Sequence, residues 1–224
     1  MLDDKIREIL QSSKKDGWVM EPEAKRILSM AGMNVPEFAW VKNREELESS
    51  AANIGYPLIA KVVSPKVVHK SDSGGVVAGI ENDKDLAETF SRFSRFEGFS
   101  GMLIEEMVSG LELIVGAKID YQFGPVVLLG MGGTRVEIYK DTTLRMAPLR
   151  DGDIQYMISC LKAHQLLEGY RGKDPVDVEE LHRLMLTFSD LVMDLAEEID
   201  TMDLNPVICS TERCVVADVR IMLK

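Results

Sequence analysis

Leu58-Ile59-Ala60-Lys61-Val62-Val63, His69-Lys70-Ser71-Asp72-Ser73-Gly74-Gly75 and Val76-Val77-Ala78-Gly79-Ile80 follow one another within 23 residues, and their reading decides the fold. The two apolar runs read as short buried strands, so the polar segment between them is the loop of a strand–loop–strand element. Gly74 and Gly75 would let backbone N–H groups approach an anion without Cβ interference. Ser71 and Ser73 add hydroxyl donors, and Lys61 and Lys70 add positive charge. A neutral imidazole in such a loop can attack phosphorus and carry a phosphoryl group covalently. The competing reading is a solvated histidine beside an ordinary Gly-Gly turn, and the segment alone does not separate the two.

A second constellation lies at the C-terminal end. Residues 201–209 and 214–222 alternate in character around the polar turn Ser210-Thr211-Glu212-Arg213, which predicts an antiparallel hairpin. With Cys209 opposite Cys214, Asn205 falls opposite Asp218. One face then carries Asp203, Asn205 and Val207 with Val216, Asp218 and Arg220, and the other carries Leu204, Ile208, Val215 and Val219. Two carboxylates and an amide oxygen on one face are hard ligands suited to Mg²⁺, which takes one or two carboxylates together with substrate phosphates. The alternative is a wet polar face on which Asp203 and Arg220 form a cross-strand ion pair. Pro206 argues for an edge or irregular strand.

In this order, Lys61, the His69–Val76 segment, Ile104-Glu105-Glu106-Met107-Val108, Asp203-Leu204-Asn205-Pro206 and Asp218 make the chain resemble an ATP-grasp protein. More narrowly, it resembles the β subunit of ADP-forming acetyl-CoA synthetases (acetate–CoA ligase, ADP-forming), relatives of succinyl-CoA synthetase. Phe123-Gly124-Pro125-Val126-Val127, Gly130-Met131-Gly132-Gly133, Arg145-Met146-Ala147-Pro148-Leu149 and Gly169-Tyr170-Arg171-Gly172 match further blocks of that family. The likeness runs from about Gly17 to the end.

The resemblance implies an α+β chain of ATP-grasp fold, with two lobes that each have a mostly antiparallel sheet and packed helices, and nucleotide between them. We expect the lobes at 1–108, with the phosphohistidine and glycine loop, and at 109–224, with the Mg²⁺ hairpin. It implies that His69 is transiently phosphorylated and that Lys61 meets the α- and β-phosphates. Ser73, Gly74 and Gly75 would line the nucleotide, the main chain at Glu106 and Val108 would read adenine, and Glu112 would meet ribose. Asn205 and Asp218 would hold Mg²⁺, with Asp203 facing the same site. The implied reaction converts ATP, a carboxylic acid and CoA to ADP, phosphate and acyl-CoA. Phosphoryl transfer of this kind needs positioning and charge neutralisation more than covalent machinery. The chain lacks a G-x-G-x-x-G fingerprint and a second histidine motif, so the resemblance implies an α subunit carrying CoA binding and another phosphohistidine, in an α2β2-type heterotetramer. Thr201 departs from the acid often found there in the family. The alternatives are an ATP-grasp carboxylate–amine ligase that does not need His69, and a non-catalytic nucleotide-sensing module.

Composition sets bounds. A net charge of −11 and pI near 4.8 argue against nucleic acid or an anionic membrane as partner. No apolar run reaches the ~20 residues of a membrane span, and Met1-Leu2-Asp3-Asp4-Lys5 lacks a signal-peptide pattern, so a cytoplasmic protein is expected. The three cysteines, Cys160, Cys209 and Cys214, lack Cys-x-x-Cys spacing. Cys209 and Cys214 face each other in the predicted hairpin, but a reducing cytosol favours free thiols. His164 and His182 have no second ligand at i+4 and read as packing or solvated residues.

Helices are predicted over 1–15, from Pro22 to Gly32, over 44–54 with Asn43 and Glu46 as a capping box, from Asn82 to about Phe96, and over 177–199. The last carries an apolar stripe through Leu181, Leu184, Phe188, Leu191, Leu195 and Ile199. Further strands are expected near 102–108, 111–120, 125–130 and 136–141.

Overall fold

A computed structural model describes residues 3–133 and 141–224, and the chain divides into two units, 1–35 with 109–224, and 36–108. One break between the units lies at Val108–Ser109 and the other at Val35–Pro36. Residues 1–35, expected with the N-terminal lobe, instead belong to the C-terminal unit. They supply α1 (Asp4–Ser13), β1 (Trp18–Val19) and α2 (Glu21–Met30). The physical reason is packing: Ile6, Leu10, Val19, Ala24, Ile27 and Leu28 bury their side chains in the core of that unit.

The 36–108 unit is a four-stranded antiparallel sheet with two helices. It comprises β2 (Phe38–Val41), α3 (Leu47–Ile54), β3 (Leu58–Val63), β4 (Val76–Ile80), α4 (Asp83–Phe93) and β5 (Gly101–Glu106), in strand order β2-β5-β3-β4. Asn82 caps α4, its side chain accepting from Asp85 N–H at 3.0 Å. The Asn43–Glu46 capping box takes another form: Arg44–Glu46 is a 3₁₀ turn, and Asn43 Nδ2 donates to Glu46 Oε1 at 2.7 Å. Leu58, Ala60, Val62, Leu86, Phe93, Met102 and Ile104 form the core.

The larger unit adds β6 (Leu111–Asp120), β7 (Gly124–Met131), β8 (Thr142–Met146), α5 (Asp151–Cys160), α6 (Val178–Leu195), β9 (Ile199–Cys209), β10 (Cys214–Val216) and β11 (Val219–Leu223). Its antiparallel sheet runs β1-β11-β9-β6-β7-β8 among the described residues, with β10 also on β9. The expected strand at 136–141 lies almost wholly outside the described residues. Asp177 caps α6 by accepting from Glu180 N–H at 3.0 Å. The helix stops at Leu195, so Ile199 is not the last member of its stripe; it heads β9, paired with Leu223.

The predicted hairpin register holds. Cys214 pairs with Cys209, Val216 with Val207, Val219 with Leu204 and Arg220 with Asp203, and Asn205 N–H donates to Asp218 O at 3.1 Å. One expectation about its faces fails. Leu113 pairs with Val207 and Val115 with Leu204, so Asn205 and Pro206 together oppose Ile114 in a bulge. The extra residue shifts the alternation, and Val207 and its partner Val216 join Leu204 in the core instead of the polar face. Cys209 and Cys214, expected as thiols, are joined in a buried disulfide, because the register sets their Cα atoms 4.1 Å apart.

Candidate functional site

In the 36–108 unit, β3 and β4 hold the loop carrying His69. Gly75 N–H donates to Lys70 O at 2.8 Å, Gly74 N–H to Ser71 O at 3.2 Å, and Ser73 Oγ to Lys70 O at 2.9 Å. These donors close the loop on itself, which corrects the expectation that the two glycine N–H groups point to an anion. Gly74 sits at φ +70 with open space around it, whereas a Cβ on Gly75 would lie 2.5 Å from Val62 Cγ1. One glycine supplies the turn and the other lets the loop base lie against β3. Ser71, Asp72 and Ser73 are exposed, as is His69, while Lys70 is buried beneath them.

Lys61 is also buried, and its Nζ lies 2.6 Å from Glu105 Oε1, itself 1% exposed. Sequence reasoning identified the lysine and missed this partner. Ile59 pairs with Glu105 across β3 and β5, two positions from Lys61, and strand periodicity then puts both side chains on one face. A buried cation beside a carboxylate keeps its charge at a tolerable desolvation cost. Glu106 N–H donates to Glu37 O at 3.0 Å, and its carboxylate accepts from Glu37 N–H at 3.1 Å. That backbone N–H is thus engaged in holding the strand end, ahead of half-buried Val108.

In the larger unit, Glu112 is exposed on β6, and its carbonyl accepts from Gly132 N–H at 2.8 Å. A Cβ on Gly132 would lie 2.9 Å from that carbonyl, so the Gly-Gly pair at 132–133 is what allows the approach. Asn205 and Asp218, both half-buried, stand opposite one another at the bulge through the Asn205 N–H to Asp218 O hydrogen bond, and Asp218 Oδ1 accepts from Val219 N–H at 2.9 Å. Asp203 is drawn to Arg220, whose Nη2 lies 3.3 Å from its Oδ2. Burial holds the Asp203 carboxyl above its ordinary pKa, with Arg220 pulling the other way. The structure therefore brings Asn205 and Asp218 together, and gives Asp203 the ion pair that was its alternative reading. The pair Asn205–Asp218 fits Mg²⁺: it offers one carboxylate and one amide oxygen at a backbone irregularity, and leaves the remaining positions to phosphate and water. Among the described residues no three His, Cys, Asp or Glu side chains converge on a metal-sized site.

The same sheet face is open. A groove of 640 Å³ runs over Ile114, Gly116, Leu128 and Leu144 and reaches Asp203 and Arg220. Gly116 adds no side chain to its floor, and a Cβ there would make only ordinary contact, 3.7 Å from Asp203 Oδ1. An apolar floor with a few polar groups at one end is the usual character of a small-molecule site. His164 and His182 lie outside these clusters: His164 Nδ1 contacts Leu161 O, and His182 Nε2 lies 3.8 Å from Asp151.

A family profile described as ATP-grasp domain matches residues 11–223. The acetate–CoA ligase [ADP-forming] I subunit beta of Pyrococcus furiosus is 39% identical over 228 residues, covering 98% of each chain. The 4-hydroxybutyrate–CoA ligase [ADP-forming] of Nitrosopumilus maritimus is 37% identical over 98% of this chain, which spans only 33% of that longer protein. A solved structure of the dinucleotide forming acetyl-coenzyme A synthetase 1 of Ca. Korarchaeum cryptofilum matches with TM-score 0.86 and 36% identity, covering 98% of this chain and 100% of that one. That protein is in complex with coenzyme A and Mg-AMPPCP, with its phosphohistidine segment pointing towards the nucleotide binding site. The chain belongs to the ATP-grasp family, in the branch that contains the β subunits of ADP-forming acetate–CoA ligases.

Proposed function

We propose that this chain is the nucleotide-binding β subunit of an ADP-forming acyl-CoA synthetase, and that His69 carries the phosphoryl group. The carrying observation is the exposed imidazole on a loop pinned at its base by Gly75 and buried Lys70, directly after the strand that bears buried Lys61. In the forward step the imidazole nitrogen bonds to the γ-phosphorus, the bond from that phosphorus to the bridging oxygen breaks, and ADP leaves. Lys61, held by Glu105, presents fixed positive charge to the phosphates, an electrostatic contribution that needs no reorganisation. Asn205 and Asp218 would hold Mg²⁺, which neutralises phosphate charge when bound. Glu112 and the chain around Glu106–Val108 would orient the nucleoside.

The phosphorylated loop then serves a partner that binds CoA and the acid, an α subunit in an α2β2-type assembly. Relatives named as a β subunit support a separate partner, and longer relatives of which this chain covers a third carry further sequence in the same chain. A cytoplasmic setting fits ATP and CoA as substrates. Among the described residues no helix is long and apolar enough to cross a membrane.

The test is γ-labelled ATP with Mg²⁺, given to the chain co-purified with its native partner. Acid-labile, base-stable label on this chain is expected, and its disappearance in His69→Ala. Nucleotide binding without label in an intact complex would overturn the relay and favour a ligase or sensor that does not use His69.

A further inference from the structure

Lys25 is among the largest fully buried side chains of the described residues, and nothing in the phosphoryl chemistry uses it. It lies on α2 among core residues such as Ala24, Ile27 and Leu28. Its Nζ donates to Ala217 O at 2.9 Å and lies 3.4 Å from Glu21 Oε1, also without exposure. A buried ion pair is weak evidence for stability, since apolar residues of similar volume often do as well. What distinguishes this one is where the ammonium points.

Ala217 and Asp218 are the two residues at which the strand facing β9 leaves regular pairing, between β10 and β11. Opposite them stand Asn205 and Pro206, the bulged residues of β9. Ala217 N–H donates to Pro206 O at 3.0 Å, and Asn205 N–H to Asp218 O at 3.1 Å. The Lys25 ammonium takes the carbonyl of the peptide that links Ala217 to Asp218. It thus fixes the orientation of that peptide plane and of the Asp218 N–Cα bond, and with the Asn205 N–H on the Asp218 carbonyl it sets the direction of the Asp218 Cα–Cβ bond.

We infer that Lys25, with its charge balanced by Glu21, is a positioning residue for the cation ligand Asp218, acting through the Ala217 carbonyl. The inference rests on the proposed role of Asn205 and Asp218. It assigns residues 1–35 a share in the site, through one charged hydrogen bond made from the core side. Groups that orient a metal ligand in this way typically account for about 10–100-fold in metal affinity.

The experiment measures Mn²⁺ affinity by electron paramagnetic resonance on the full chain with AMPPCP, beside the melting temperature without metal. The variant Glu21→Gln/Lys25→Met removes both charges and leaves no buried ion alone. A loss of Mn²⁺ affinity of about tenfold or more, larger than any change in AMPPCP affinity without metal, is expected. A melting temperature that falls while Mn²⁺ affinity holds in the double variant would make the pair merely structural and overturn the inference. Asp218→Asn separates the two readings. If it weakens Mn²⁺ binding while the double variant does not, only the Lys25 inference falls; if neither does, the Asn205–Asp218 assignment itself is wrong. Should the double variant not fold, the ¹⁵N resonance of Lys25 Nζ in the unaltered chain is followed during Mg²⁺ addition with AMPPCP. A shift saturating with the metal supports the coupling, and an unmoved resonance overturns it.

Discussion

At the residue scale, the functional charges are held by partners that a linear reading does not display. Lys61 and Glu105 are 44 positions apart in the chain and 2.6 Å apart in space. Lys61→Met should destabilise the 36–108 unit by about 3–5 kcal/mol in urea unfolding, because it strands a buried carboxylate. Adding Glu105→Gln should recover most of that loss. Asp203 makes a prediction about pH. Its folded-state pKa is raised by burial, so the neutral acid is the form the fold prefers. Its contribution therefore favours folding below the ordinary carboxylate pKa and turns against it as pH rises through the folded value. Arg220→Met removes the opposing pull, so the carboxyl ¹³C titration midpoint of Asp203 should move higher and stability should fall more steeply from acid to neutral pH. A midpoint that moves down would contradict this account. The two loop glycines should also differ. Gly75→Ala forces a Cβ against Val62 and the Lys70 carbonyl and should cost about 1–3 kcal/mol by overpacking. Gly74→Ala meets open space and carries only the left-handed backbone penalty, about 1–2 kcal/mol.

At the element scale, what could be read from the sequence was what has a period. The β9 to β11 register followed from one turn, because every pair after Cys209–Cys214 is then determined until the irregularity at Met222–Leu223. The stripe of α6 was visible because leucines and Phe188 recur at helical spacing over five turns. Phe188→Ala in that stripe should cost about 3–5 kcal/mol, read as a drop in the urea midpoint with an unchanged slope. Several features escaped, among them the short strands β2 and β8, for which no expectation was made. The helix Asp151–Cys160 has Gly152, Ser159 and two β-branched residues and buries only Ile154 and Met157, so its stripe is too thin to register. The two-residue β1 is too short for any pattern. The bulge at Asn205–Pro206 was hidden because it depends on where β6 pairs, a long-range fact absent from the hairpin itself. The same limit applied to the site: its residue types and order were legible, whereas the partners Glu105, Glu21 and Lys25 were not. An i,i+4 Glu–Lys pair reads as a solvated helix face, and only the packing of α2 turns it inward.

At the scale of the whole molecule, the 36–108 unit is an insertion between two segments that complete one another. Removing residues 1–35 should leave that unit intact while exposing the part of the larger core that α1, β1 and α2 cover. Hydrogen exchange should then speed up at β11 amides such as Ile221 and Met222, which pair with β1, and remain unchanged at β3 and β5. That pairing also imposes an order of events during synthesis. Trp18 finds its partner only when Met222 has been made, and Leu223 N–H closes on Gly17 O at 3.0 Å. The inserted unit contains all of its own strands and can fold while translation continues. The first two helices, with Lys25 among their apolar residues, must wait beside it as an unfinished surface. A ribosome-stalled chain ending within α6, from which all of 36–108 has emerged but β11 has not been made, should therefore resist protease across 36–108 and be cut readily within its first 35 residues.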